Sequence, residues 1–184
     1  STTDFRCAER WYVHALAQAT HAAGKQLWAN VGYAPHDDNG TSWDIFMNRP
    51  GAWDGMDGGL NEGWLYWGDS QYPSEAVWNQ YLTQADRTIG GGRGWVGVAQ
   101  TDLTSEAWSC QAHNAAGTDL TNCSTPHREQ YALASYLMVA DGQHAYFRYT
   151  DPSYGKLAYF ANYDAPIGMP LADPATGQPQ RYAW

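Results

Sequence analysis

The chain has 184 residues, a formal net charge of −9, 43% hydrophobic residues and only 16% charged residues. This length predicts a single domain over residues 1–184 with a substantial core. The ten Lys and Arg residues form no cluster, which argues against nucleic acid as a partner because phosphate binding requires clustered cations. No apolar stretch reaches the roughly 18 residues of a membrane-spanning helix, so we expect no membrane partner.

Three helices are predicted in chain order. The first covers residues 4–23, where apolar residues recur at three-four spacing and predict one buried face. That face would comprise Phe5, Ala8, Trp11, Tyr12, Ala15, Leu16, Ala19 and Ala22. A second helix covers 75–89, between a Ser cap and three consecutive glycines, and a third covers 126–140 with Pro at its first position.

Four short apolar segments that alternate with these helices predict strands. They cover 27–32, 56–62, 95–100 and 144–150. Near-continuous apolar strands alternating with helices predict a parallel α/β sheet. A closed eight-stranded barrel takes about 250 residues, so four βα units predict half of, or an incomplete, TIM-type (β/α)8 barrel, which upstream strands or a homodimer would complete. The alternative is an open α/β sheet.

The remaining segments are predicted to be loops, with a short helix near 42–48, one weakly helical piece over 153–160 and a tail over 161–184. Cys110 and Cys123 bracket a polar segment without periodicity, which we predict to be a loop closed by a disulfide. Cys7 then has no partner among these residues, which predicts either a bridge to another chain or a partner outside residues 1–184. Disulfides are typical of secreted or cell-surface proteins. The alternative is a cytosolic protein with three thiols.

The aromatic composition favours a carbohydrate ligand, since the chain has 10 Trp and 13 Tyr against 4 Phe. Trp and Tyr are favoured where an apolar ring face also meets water or a polar ligand. Sugar rings present such a mixed surface, with C–H faces to stack on and hydroxyl groups at the rim. The alternative is a Trp-rich core that accounts for the same residues.

Several stretches together resemble one family of glycoside hydrolases. They are FRCAERWYVHAL at 5–16, KQLWANVG at 25–32, DGGLNEGWLYW at 57–67, RGWVGVAQTD at 93–102, REQYALASYLMVADGQHAYFRY at 128–149 and the Gly-x-Pro of the tail at 168–170. In this order they resemble the C-terminal half of a TIM-barrel protein from the group of hypothetical glycoside hydrolases. The resemblance covers most of the chain and implies a barrel fold. Asn61-Glu62 also resembles the Asn-Glu pair of the retaining barrel glycosidases, in which the Glu is the acid/base.

Candidate catalytic residues lie where the predicted strands end, because barrel enzymes place reactive groups at the C-terminal ends of strands. Glycoside hydrolysis uses two carboxylates. Glu62 ends one strand and is predicted to be the proton donor, and Asp102 closes the next strand and is predicted to be its partner. The alternatives are a surface or ion-paired Glu62, and an Asp102 that only caps a turn.

Substrate-binding residues are predicted on the same strand ends. Stacking surface is expected from Trp28, Trp64, Trp67 and Tyr149, and hydrogen bonds to the sugar are expected from Asn30 and Arg148. No cofactor and no metal are expected. An oxygen-rich segment over 36–44 is an alternative calcium site, but it lacks the full loop spacing and the final bidentate Glu.

These observations lead to one hypothesis and two alternatives. The leading hypothesis is a secreted or cell-surface glycoside hydrolase that acts on a poly- or oligosaccharide. The first alternative is a non-catalytic carbohydrate-binding half-barrel. The second is a fragment that functions only with upstream strands or with a second copy of itself.

Overall fold

The computed structural model describes residues 2–31, 43, 46–47, 55–65, 72–100, 112–113, 119–123, 127–150 and 157–166. Its helices are α1 (Thr2–Ala22), α2 (Glu75–Gly90) and α3 (His127–Leu137), with a 3-10 helix at Ala161–Asp164. Its strands are β1 (Trp28–Asn30), β2 (Gly58–Glu62), β3 (Gly94–Gln100), β4 (Ala112–His113), β5 (Asp119–Cys123), β6 (Ala145–Thr150) and β7 (Leu157–Phe160).

The four predicted strands form one parallel sheet in the order β1-β2-β3-β6. The α/β class is therefore confirmed. The four strands follow one another across the sheet in chain order. This order is found in barrels, whereas a doubly wound sheet reverses its order at a switch point. Within the described residues the sheet is open, an arrangement that fits an incomplete barrel as well as an open α/β sheet.

A second, three-stranded sheet has the order β4-β5-β7. β4 and β5 are antiparallel, whereas β5 and β7 are parallel. The predictions of a loop before Cys123 and of a weak helix over 153–160 were therefore wrong. These strands have two to five residues each. Hydrophobic periodicity does not separate strand from loop or helix over such short segments.

Helix α2 begins and ends where the sequence predicts. The backbone N–H of Val77 donates to Oγ of the N-cap Ser74 over 3.4 Å, and Gly91 caps the other end. Helix α1 has the predicted extent but not the predicted orientation. Its expected buried face is exposed, with Phe5 65% and Tyr12 69% accessible, and Ala17 is buried instead.

The core lies between the four-stranded sheet and helices α2 and α3. Its largest buried members are Trp43, Trp64, Trp95, Tyr81, Tyr149 and Phe160. The two helices are joined by a hydrogen bond of 3.0 Å from Nε1 of Trp78 to Oγ of Ser135. Tyr136 on α3 donates to the carbonyl oxygen of Ala145 over 3.0 Å, which fixes α3 against β6.

Candidate functional site

The register of the four-stranded sheet separates its side chains into two faces. Residues paired across parallel strands point to the same face, and successive residues of one strand alternate between faces. One face carries Trp28, Asn30, Leu60, Glu62, Val96, Val98, Gln100, Tyr146, Arg148 and Thr150. We call it the site face. The opposite face packs against α2 and α3 and is called the helix face.

Asn30 and Glu62 meet at the C-terminal ends of β1 and β2. Nδ2 of Asn30 donates a hydrogen bond of 2.5 Å to Oε2 of Glu62. Gly63 follows Glu62 with a φ of +77°, a conformation that glycine adopts without steric cost. The chain can therefore turn directly after Glu62. The hydrogen bond orients the Glu62 carboxyl group at the end of β2.

Arg148 lies in the same row of the site face as Glu62. Val98 is paired with Glu62 on one side and with Arg148 on the other. Strands in a sheet are about 4.8 Å apart, so the Cα atoms of Glu62 and Arg148 are about 10 Å apart. Val98 between them is buried. The row thus carries a carboxyl group and a guanidinium group on either side of an apolar residue.

The next row towards the strand ends consists of Gln100 and Thr150, which are paired with each other. Both are buried polar residues. Oγ1 of Thr150 has no hydrogen-bond partner within the described part of the chain. Sequence reasoning assigned neither residue a role. The signal that could have found them is their position as the last residues of two predicted strands.

Trp28 and Tyr146 form the aromatic part of the site face. The indole of Trp28 lies across two glycines, since a Cβ atom at Gly94 would lie 1.9 Å from the ring and one at Gly58 would lie 2.4 Å from it. The rings of Trp28 and Tyr146 contact edge to face with centroids 6.4 Å apart. They are 41% and 52% accessible, so each retains surface on which a ligand could stack.

The structure does not bring Trp64 and Tyr149 to the site face. Trp64 is fully buried and packs edge to face on Trp95 with centroids 4.9 Å apart. Tyr149 is also buried, points to the helix face and contacts Phe160. Both side chains contribute to the core and expose no ring face on which a sugar could stack.

Several predicted residues lie outside the described part of the chain. They are Asp102, Trp67, the oxygen-rich segment 36–44 and Cys110 of the predicted disulfide. Cys7 is described, and it is an exposed free thiol. In the described ranges no group of three or more His, Cys, Asp or Glu side chains could hold a metal ion. No helix in those ranges is long and apolar enough to cross a membrane.

Comparison with known proteins gives one family. The model of hypothetical glycosyl hydrolase family 15 matches residues 2–184. The chain belongs to this family. No curated protein and no solved structure matched the chain. The description of the family indicates a glycosyl hydrolase-like protein, in agreement with the resemblance noted in the sequence.

Away from the site face, this member of hypothetical glycosyl hydrolase family 15 has a buried acid that sequence reasoning missed. Glu129 on α3 is fully buried, and its Oε2 accepts a hydrogen bond of 2.8 Å from Nδ2 of Asn162. Burial raises the pKa of Glu129 to about 7, although the bond from Asn162 acts in the opposite direction. The spacing of the sequence could have indicated this burial, because Glu129 lies on the same stripe of the helix as Ala132 and Ser135, which are buried.

In this family 15 member, Asp57 lies at the N-terminal end of β2, opposite the end that carries Glu62. Its Oδ2 accepts the backbone N–H of Leu27 over 2.7 Å and contacts Nε2 of His21 at 2.9 Å. Burial acts to raise the pKa of Asp57, but these two contacts outweigh it and the pKa is lowered. Asp57 therefore ties the end of α1 and the start of β1 to β2.

Proposed function

We propose that this chain hydrolyses glycosidic bonds of a poly- or oligosaccharide, with Glu62 as proton donor and Asp102 as the second carboxylate. The contact between Asn30 and Glu62 carries the proposal. It fixes a carboxyl group at the C-terminal edge of a parallel sheet, which is the edge that barrel enzymes use. The family description supports the reaction class.

The face of the sheet that carries Glu62 fits a sugar substrate. Trp28 and Tyr146 offer exposed ring faces on the same side of the sheet, and amphipathic aromatic rings suit the C–H faces of sugars. Arg148 in the row of Glu62 would hydrogen-bond hydroxyl groups of the sugar. The Glu62 carboxyl would donate its proton to the leaving group. We further propose that the protein acts outside the cell.

The test is Glu62→Gln, assayed by the release of reducing ends from a panel of poly- and oligosaccharides. Gln keeps the shape of the side chain and an oxygen acceptor for Asn30, but it cannot donate a carboxyl proton. We expect kcat to fall by about 10²- to 10⁴-fold, the usual contribution of a general acid, while binding of the substrate is kept.

The matched control is Glu75→Gln, the same substitution at an exposed position on α2. It should leave the release of reducing ends unchanged. Full activity of Glu62→Gln, with unfolding curves that match the parent protein, would remove Glu62 from the reaction.

One observation favours a second candidate function, non-catalytic carbohydrate binding. Among the described residues, Glu62 supplies the only carboxylate of the site face, whereas hydrolysis uses two. A protein that binds one glycan of the panel tightly and releases no reducing ends from any of them would support this candidate. Glu62 would then only accept hydrogen bonds from sugar hydroxyl groups, and Glu62→Gln would weaken binding.

A further inference from the structure

Helix α1 turns its most apolar side away from the described part of the chain. Phe5, Trp11, Tyr12 and Leu16 are all exposed, with Tyr12 69% accessible. The apolar residues that α1 turns inward are fewer and smaller, with Ala17 buried and Val13 partly buried. Adjacent exposed apolar residues of this size are typical of interaction surfaces in soluble proteins.

The exposed residues of α1 follow the spacing of a helix-pairing stripe. We define the α1 seam as Phe5, Ala8, Tyr12, Ala15, Ala19 and Ala22, all of which are exposed. Their spacing alternates between three and four residues, as do the a and d positions of a coiled coil. The seam therefore keeps one orientation along the whole helix and can face a second helix throughout.

The sizes of the seam residues fit a second copy of α1 as the facing helix. Both large rings lie in the N-terminal half of the seam, and the C-terminal half contains only Ala. In antiparallel pairs of helices, a positions face d positions of the other helix. A second copy of α1 related by a two-fold axis would place Phe5 opposite Ala22, Ala8 opposite Ala19, and Tyr12 opposite Ala15. Each ring then meets a methyl group, as dense packing requires.

We propose that α1 pairs with α1 of a second copy of this chain, antiparallel and through the α1 seam. In a two-fold interface the same surface of both copies must be complementary to itself. The seam is self-complementary because each of its large rings faces an Ala of the other copy. A parallel pair would set Tyr12 against Tyr12 and Ala against Ala, which would hold the helices apart. The inference is independent of the proposed glycosidase activity, since no seam residue lies on the site face.

The first test exchanges the large and small residues of one contact. Light scattering after size exclusion should give twice the 20.4 kDa mass of the chain. Tyr12→Ala should raise the dimer Kd by about 30-fold, as expected for a buried aromatic hot spot. Ala15→Tyr should also dissociate the dimer, because Tyr would face Tyr. The double variant Tyr12→Ala/Ala15→Tyr should restore the dimer, because Ala again faces Tyr.

The control is Thr83→Tyr, which adds the same side chain at an exposed position of α2 and should leave the dimer intact. All four variants change exposed residues, and circular dichroism would confirm that they fold. A mass of 20.4 kDa for the parent protein at micromolar concentration would overturn the proposal. So would a double variant that remains as dissociated as Ala15→Tyr.

The second test determines the direction of the pair by oxidation, with Cys7 replaced by Ser to remove the exposed thiol of α1. The variant with both Ala8→Cys and Ala19→Cys should form covalent dimers, because antiparallel pairing brings these positions together. Ala8→Cys alone should add no crosslink beyond the Cys7→Ser control. A crosslink from Ala8→Cys alone would show a parallel pair and would overturn the antiparallel arrangement.

Discussion

Asn30 orients the carboxyl group of Glu62. Its amide donates to Oε2 over 2.5 Å, and an amide N–H can only meet an acceptor. In the proposed reaction Asn30 would act through Glu62, as a positioning residue.

Replacing Asn30 should reduce turnover more than binding. In Asn30→Ala the Glu62 carboxyl loses the bond that orients it, and misplacement of a reacting group by about 1 Å can cost about 10²-fold in rate. We expect kcat to fall by about that factor with a smaller change in KM, measured by steady-state hydrolysis. Gln80→Ala, which removes an exposed amide from α2, serves as the control. A change confined to KM would contradict the positioning role.

Sequence reasoning placed Asn30, Glu62, Arg148 and Trp28 at one strand edge, and the structure brings all four to the site face. It also included Tyr149, although neighbouring residues of a strand point to opposite faces. Arg148 and Tyr149 could not both have faced the ligand, and alternation alone would have shown it. Trp64 is a different case. The turn at Gly63, with a positive φ, sends it into the core, and the sequence does not reveal this path.

At the scale of elements, two glycines of neighbouring strands create the place that Trp28 occupies. Gly58 and Gly94 are paired across β2 and β3, and the indole lies where their side chains would be. The conformation of one aromatic residue on β1 thus depends on the absence of side chains on two other strands. This close approach explains the need for glycine at both positions.

Gly94→Ala should displace Trp28 and weaken sugar binding. The new methyl group would lie 1.9 Å from the ring, so the indole must move away from the site face. We expect affinity for the bound glycan to fall about fivefold, the equivalent of one aromatic contact, measured by titration calorimetry. In a Trp28→Ala background the substitution should have no further effect, because coupled residues are not additive.

The control for this experiment is Gly90→Ala, where an added Cβ would meet no atom within 4 Å. If Gly94→Ala lowered the affinity as much in the Trp28→Ala background as in the parent protein, its effect would not act through Trp28.

The strands of the main sheet could be predicted because each is an apolar run set between helices with clear caps. The second sheet could not. Strand β5 has the sequence DLTNC, in which no alternation of apolar and polar residues is visible. Strand β7 lies where a short apolar run also fits one turn of helix. Its conformation follows from parallel pairing with β5, a tertiary contact that local sequence does not encode.

At the scale of the whole molecule, the buried Glu129 makes stability depend on pH. The pKa of this carboxyl is raised from 4.5 to about 7 in the folded protein. The folded state therefore favours the protonated form. This stabilisation is fully present below pH 4.5 and is lost as the pH rises through about 7.

Glu129→Gln should remove this pH dependence, since Gln stays neutral and still accepts from Asn162. We compare the free energy of unfolding of Glu129→Gln with that of the parent protein at each pH. We expect this difference to shift in favour of the variant by on the order of 3 kcal/mol between pH 5 and pH 8. Urea unfolding at the two pH values measures the difference. Glu75→Gln is the exposed control, and parallel curves for the parent protein and Glu129→Gln would contradict the prediction.

The half-barrel remains a prediction at this scale. The sequential order of the four parallel strands supports it. A dimer that completes a barrel would join β1 of one copy to β6 of another, whereas the pairing proposed for α1 uses the α1 seam and leaves both strands free. The prediction that the apolar face of α1 is buried was wrong, because this face is exposed. The sequence could not show that this face points outward, because amphipathicity does not identify the surface that covers it.

The strand that supplies Asn30 is the shortest strand of the main sheet. In the part of the chain that the structure describes, β1 has three residues and pairs only with β2, whereas β3 has seven residues and pairs on both sides. Short edge segments open locally at a much lower free-energy cost than the whole domain. When β1 opens, Trp28 and Asn30 leave the site together while Glu62 stays on the sheet. Affinity for a ligand is then scaled by the fraction of molecules in which this one strand is docked.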